Sequence, residues 1–178
     1  MSNTRKQLEN WLKTIDVKGD VLDVGGVSMP VKGRTKSWDV NDYMILDIKD
    51  RNTDIVTDIN YPIELSKKFD NIFCLEVMEY VWNPITALDN MNRLLKSGGI
   101  IYISFHFLFP HHDPSSRDYL RYTKSGIAKL LKESGFVIED ITPRTTMVPE
   151  VLRVFCNIES KVYRNPDEIG YLIKARKL

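Results

Sequence analysis

The chain has only two cysteines, Cys74 and Cys156, far apart and with no pairing pattern around them. They could pair, but two thiols in a chain this size point to a reducing, cytoplasmic setting and exclude a disulfide scaffold as the source of stability. Long hydrophobic runs are missing as well. No stretch approaches the ~20 apolar residues of a membrane helix, and the opening MSNTRKQLENWLK has no apolar core of signal-peptide length. Nor is there an excess of one charge: 25 basic against 24 acidic residues leave a net +1. That balance gives no electrostatic reason to expect nucleic acid or an acidic membrane as partner. With 43% hydrophobic and 28% charged residues, the 178-residue chain reads as one soluble globular domain, 1–178. Its oligomeric state is not encoded in any visible pattern.

What is present is a regular alternation. Leu8, Trp11 and Leu12 share one face of an amphipathic helix over residues 4–14, which Gly19 is expected to close off. Val21–Val24 reads as a buried strand entering a Gly25-Gly26 turn, Tyr43–Leu46 as a second strand and Ile55–Thr57 as a third. Residues 27–42 make a poor helix, and 48–54 are too few for a crossover helix, so both connections should be stripped down. Phe69–Leu75 and Ile100–Phe105 are further strands, separated by a helix over Pro84–Lys96 that Gly98-Gly99 stops. Thr123 should cap a helix to about Glu133. Phe136–Ile141 and Gly170–Ala175 then complete the strands, joined by a long connection over 143–169. Strands alternating with helices indicate an α/β layered fold.

The turn after the first strand raises a chemical question. A dinucleotide loop would read G-x-G-x-x-G, but from Gly25 the chain runs G-G-V-S-M-P, and no Gly-Lys-Ser/Thr phosphate loop exists. The missing phosphate loops weigh against an NAD- or nucleotide-dependent enzyme. Two glycines alone could simply be a tight turn. Yet VLDVGG, the acid at Asp47, the later Asp58, and FDNIFCLEVMEYVWNPITALDNMNRLLKSGGIIYIS stand in one order. Together they resemble class I methyltransferases, most nearly the type 11 group. Phe69, Asp70, Val77, Glu79, Val81, Pro84, Leu88, Arg93, Leu95, Lys96, Gly98 and Gly99 match that group's pattern. Tyr80 and Ser97 depart from it, as does the absent third glycine. The resemblance covers about residues 15–142 and again 169–176.

This resemblance implies a Rossmann-like methyltransferase sandwich, a mostly parallel seven-stranded sheet with the last strand antiparallel. It implies S-adenosyl-L-methionine (AdoMet) as cofactor, with Asp23, Gly25 and Gly26 beside the amino-acid end. Asp47 would accept from the ribose hydroxyls, Asp58 and Ile59 would meet the adenine, and Leu75 and Glu76 would line the cleft. Read without the resemblance, Asp47 could be a solvated strand end and Asp58 a turn former in D-I-N-Y-P. The acceptor is expected to be a small molecule or glycan-like compound, and the alternative is a protein of the same fold that binds the cofactor without catalysis.

Residues 106–122, HFLFPHHDPSSRDYLRY, hold all three histidines and form the expected active-site lid. HHDPSSRDYLRYTKSGIAKLLKESGF resembles a segment of glycan-cluster methyltransferases through Asp118, Tyr119, Arg121, Tyr122 and Thr123. His112 matches the lone histidine of that segment and is by this resemblance the candidate general base, since neutral imidazole can take a proton near neutral pH. Arg121 and Tyr122 are candidates for holding the acceptor, with a lock between lid and helix as the structural alternative. No metal site is expected, because adjacent histidines diverge and the spacing fits no zinc pattern. Trp38, Trp82 and Phe109 are expected to pack rather than recognise.

Overall fold

The structure, a computed structural model, describes residues 2–49, 51–111, 115–145 and 168–178. Seven strands form one sheet in the order β3-β2-β1-β4-β5-β7-β6: β1 Asp16–Val24, β2 Ser37–Asp47, β3 Ile55–Val56, β4 Phe69–Cys74, β5 Leu95–His106, β6 Phe136–Thr145 and β7 Glu168–Lys177. The first five run parallel where they pair, and β7 lies antiparallel between β5 and β6. The expected mostly parallel sheet with an antiparallel last strand is therefore present.

Among the described residues three α-helices flank the sheet. On one face α2 (Pro84–Leu94) and α3 (Lys124–Glu133) cover the larger core. Asn83 and Thr123 cap them, their side-chain oxygens accepting from Thr86 N and Gly126 N, so the predicted start at Thr123 is met. On the other face α1 (Asn3–Leu12) is the one α-helix among the described residues. Its Leu8, Trp11 and Leu12 are buried against Val17, Val21, Phe73, Tyr102 and Leu172, with Trp11 edge-on to Tyr102. Among the described residues no helix stands between β1 and β2, β2 and β3, or β3 and β4, so the stripped-down connections are real.

Several boundaries differ from the sequence expectation. Gly19 does not break the chain before β1 but sits inside it as a bulge, with φ +81°. An added Cβ would lie 2.3 Å from Asp70 Oδ2, which accepts from Asp20 N, so the close approach needs glycine. β2 begins at Ser37 rather than Tyr43, because Trp38 and Val40 pack toward α1 while intervening polar residues face outward. β5 begins at Leu95, and the expected stop at Gly98-Gly99 is a kink where its register with β4 shifts. The 143–169 connection proves partly strand, β6 reaching Thr145, and its remainder from 146 to 167 is outside the described residues.

Candidate active site

The sheet order reverses between β1 and β4, and open parallel sheets place their crevices at such a switch point, beyond the carboxyl ends of the strands. Here a cleft of about 880 Å³ opens there. One half is walled by the ends of β1, β2 and β3, and the other by the segment after β4 and by Arg117 and Tyr119 of the expected lid.

The turn after β1 forms the floor of the first half. Gly25 lines the cleft at φ +77°, and its N–H donates to Leu46 O at 2.8 Å. A Cβ there would meet Val77 Cγ2 at 2.3 Å, so this position needs glycine for both reasons. Asp23 and Gly26 do not line the cleft. Asp23 is buried beneath the turn, where its Oδ2 accepts from Val31 N at 2.7 Å and from the Tyr43 hydroxyl at 2.6 Å. Burial pushes its carboxyl up to about 6 although both hydrogen bonds oppose the shift. Gly26 packs on that carboxylate so closely that any Cβ would collide with it. Where a third glycine and a crossover helix might have shaped the loop, Arg34 does so. Its Nη1 donates to Met29 O and Pro30 O, while Nε and Nη2 donate to Glu9 of α1.

Asp47 ends β2 facing the cleft. One carboxylate oxygen accepts from Lys49 N at 3.0 Å, and Oδ2 takes no hydrogen bond among the described residues. Asp58 and Ile59 also line the cleft. Asp58 is a turn former as well, its Oδ1 accepting from Asn60 N and Nδ2, while Oδ2 stays open. The wall they belong to has no helix behind it. Buried Asn90 of α2 holds it instead, donating to Ile59 O and Tyr61 O and accepting from Ile63 N and Arg93. All four hydrogen-bonding positions of that amide are used.

Across the cleft, Leu75 turns away toward the α1 face. Glu76 lines the cleft in a left-handed conformation, φ 58°, rare outside glycine. Its N–H donates to Ser104 Oγ, which donates back to Oε1 at 2.8 Å. Arg144, almost fully buried at the end of β6, donates to Oε1 at 2.7 Å and to Oε2 at 3.2 Å, and also to Thr4 O of α1. Buried His106 places Nε2 3.2 Å from Oε2 and Nδ1 3.4 Å from Glu79 Oε1. The acceptor capacity of Glu76 is thereby filled from within the protein. Burial disfavours its charge, but His106 and the Arg144 guanidinium outweigh that and hold the carboxyl well below the usual range.

The lid divides its residues differently from the sequence expectation. Tyr122 does not line the cleft: it is buried edge-on to Phe105, and its hydroxyl donates to Met78 O at 2.9 Å. Arg121 folds back on its own loop, gripping both oxygens of Asp118 and donating to Phe109 O, Leu120 O and Pro110 O. Neither ties the segment to α3, the expected structural alternative: Arg121 braces its own loop, and Tyr122 ties it to Met78 in the segment after β4. Arg117 and Tyr119 from the same segment line the cleft instead. Trp38 packs edge-on to Tyr43 and Phe109 stacks on His106, as expected of packing residues. Trp82 breaks that expectation, half exposed at the rim and edge-on to half-exposed Tyr61. His112 lies outside the described residues, and neighbouring His111 is exposed with Nδ1 4.0 Å from Asp118. Among the described residues no cluster of His, Cys, Asp or Glu could hold a metal ion, and no helix is long and apolar enough to cross a membrane.

Residues 3–141 match a family model described as a methyltransferase domain. No curated protein matches the chain significantly. Several solved structures share its fold. An S-adenosylmethionine-dependent methyltransferase from Mesorhizobium loti is 14% identical, with TM-score 0.64 over 98% of each chain. The N-methyltransferase NodS from Bradyrhizobium japonicum, in complex with S-adenosyl-L-homocysteine, is 17% identical. It superimposes with TM-score 0.63 over 97% of this chain and 85% of its own. The [4+2]-cyclase SpnF is 15% identical, with TM-score 0.65 over 98% of this chain and 80% of its own. At such identities the likeness is one of fold, and that fold carries more than one chemistry.

Proposed function

Because this chain belongs to the methyltransferase-domain family, we propose that it binds AdoMet and transfers the methyl group to a small-molecule or sugar-like acceptor. The observation that carries this reading is Asp47: a strand-end carboxylate facing the cleft beside Gly25, with one oxygen held and the other open. That is the arrangement needed to accept from a ribose hydroxyl. The residues present fit AdoMet further. The cleft, about 880 Å³, is of the size of clefts that hold small molecules, and Ile48 and Ile59 supply apolar surface beside Asp58 for a flat base. The loop lacks the G-x-G-x-x-G pattern of a pyrophosphate site, which suits a ligand with no phosphate.

Bound AdoMet supplies a methyl group on a readily departing sulfonium. The protein's share is alignment and, for a hydroxyl or ammonium acceptor, removal of a proton. Gly25, Asp47, Asp58 and Ile59 hold the cofactor half, while Asp23, Gly26 and Arg34 fix the loop from behind. Tyr122 and Arg121 hold the lid segment that faces the acceptor. His112 takes the proton in this reading, since Glu76 has no open acceptor site. Calorimetric titration with AdoMet, S-adenosyl-L-homocysteine and NAD tests the proposal: the first two should bind and NAD should not. Binding of NAD alone, or of none of the three, overturns it. A second reading follows from the saturation of Glu76: cofactor binding without turnover. Retained AdoMet binding with no methyl transfer to any acceptor class would favour it.

A further inference from the structure

The two halves of the cleft differ in the charge that they leave available. On the β1–β3 side, Asp47 and Asp58 each keep an open carboxylate oxygen, beside the Lys49 ammonium, which donates to Ser28 Oγ at 3.0 Å. On the side built after β4, the charged residues lining the cleft are Glu76 and Arg117. Glu76 is filled by Ser104, His106 and Arg144. Arg117 makes no hydrogen bond or ion pair among the described residues. The acid next to it in sequence, Asp118, is gripped by Arg121 on both oxygens and fully shielded from solvent. The open charge on this side is therefore a guanidinium.

Beside it stands Tyr119, half exposed and lining the cleft, with its backbone N–H donating to Glu79 O at 2.8 Å. The backbone is pinned and the ring is presented. A guanidinium pairs with carboxylate or phosphate oxygens through two parallel hydrogen bonds, and a fixed tyrosine ring offers a flat apolar face. We propose that the acceptor is anionic: a small ring compound bearing a carboxylate or phosphate, its charge paired by Arg117 and its ring laid on Tyr119. The inference rests on the AdoMet reading above, which places the cofactor's own carboxylate in the opposite half, at the loop after β1.

The test uses the full chain saturated with S-adenosyl-L-homocysteine and titrated calorimetrically with matched probes: glucuronate against glucose, glucose 6-phosphate against glucose, and benzoate against benzamide. At least one anionic member should bind about tenfold tighter than its neutral partner. The pair that shows the advantage tells carboxylate from phosphate. Arg117→Gln should abolish the advantage and leave S-adenosyl-L-homocysteine affinity unchanged, while Arg117→Lys should keep part of it. Equal or absent binding of all probes overturns the inference, as does an advantage that survives Arg117→Gln. A loss of cofactor affinity in Arg117→Gln overturns it too, by assigning Arg117 to the cofactor's carboxylate. If the wild-type chain binds no S-adenosyl-L-homocysteine, the AdoMet reading falls and takes this inference with it.

Discussion

The half of the cleft beyond β1–β3, proposed above for the cofactor, and the half beyond β4 and β5, which carries the expected lid, are held in place by opposite means. Beyond β1–β3 the wall is backbone: a glycine turn, an Asx turn at Asp58, and short connections with no helices of their own. Single polar side chains from other elements brace it, Asn90 from α2 on one side and Arg34 with Glu9 of α1 on the other. Beyond β4 and β5 the wall rests on a buried network. Glu76, Glu79, Ser104, His106 and Arg144 join α1, the segment after β4, β5 and β6 beneath the cleft. The neutral bonds of Asn90 and the partly exposed Arg34–Glu9 pair tolerate the loss of one partner better than paired buried charges do. The lid half should be the more fragile one, and the cofactor half the more specific.

The largest contrast is expected in turnover. His112→Ala should lower methyl transfer by roughly 10²- to 10⁴-fold while leaving AdoMet affinity nearly intact. Single-turnover kinetics beside a binding titration check this, and full activity in the variant removes the base from the lid. Next comes stability. Arg144→Met strands the Glu76 carboxylate and should cost about 3–5 kcal/mol in urea unfolding. A cost below about 1 kcal/mol would mean that the network does not hold the lid half as described.

On the cofactor side the titration of Asp23 provides a third test. Its carboxyl rises from 3.8 to about 6 on folding, so between those values the folded state keeps a proton that the unfolded chain has released. The stability from this group is full below about pH 4 and lost as pH climbs toward about 6. Asp23→Asn keeps an acceptor for Val31 and Tyr43 but cannot titrate. Its stability relative to wild type should therefore rise across that window, by at most about 3 kcal/mol. A flat difference between unfolding curves at pH 4 and 6.5 would contradict the burial argument. The smallest effect belongs to Asp47→Ala, about 1.5–3 kcal/mol in AdoMet affinity with unfolding unchanged. Unaltered affinity in the folded variant would sever Asp47 from the ribose.

The cofactor half is largely legible in the sequence because its residues sit where a strand ends. An apolar run followed by an acid, as at Tyr43–Asp47, states both the element and the position of the carboxylate. The exception is Asp23, whose short side chain turns under the loop toward Val31 and Tyr43. The lid is legible as a segment but not residue by residue. In DYLRY the pattern points to Arg121 and Tyr122, yet Arg117 and Tyr119 face the cleft. Without a helical or strand period, nothing local says which side chains point inward. Trp82 escapes for a related reason, since an aromatic beside a helix start usually packs and here stands at the rim with Tyr61.

The sequence by itself determined the order and type of the elements, the bare connections after β1 and β2, and the strand-end acids Asp47 and Asp58. Hydrophobic period, capping residues and connection length are local quantities, and local chain physics suffices for them. Only the tertiary structure decided that Glu76 is saturated, that Arg121 is a brace, and that Arg117 is open to the cleft. Each depends on which donors arrive from distant parts of the chain: Arg144 reaches Glu76 across 68 residues of sequence. Whether a charged group is free to bind depends on whether its hydrogen-bonding capacity is already filled, and that is settled only when the strands pack side by side.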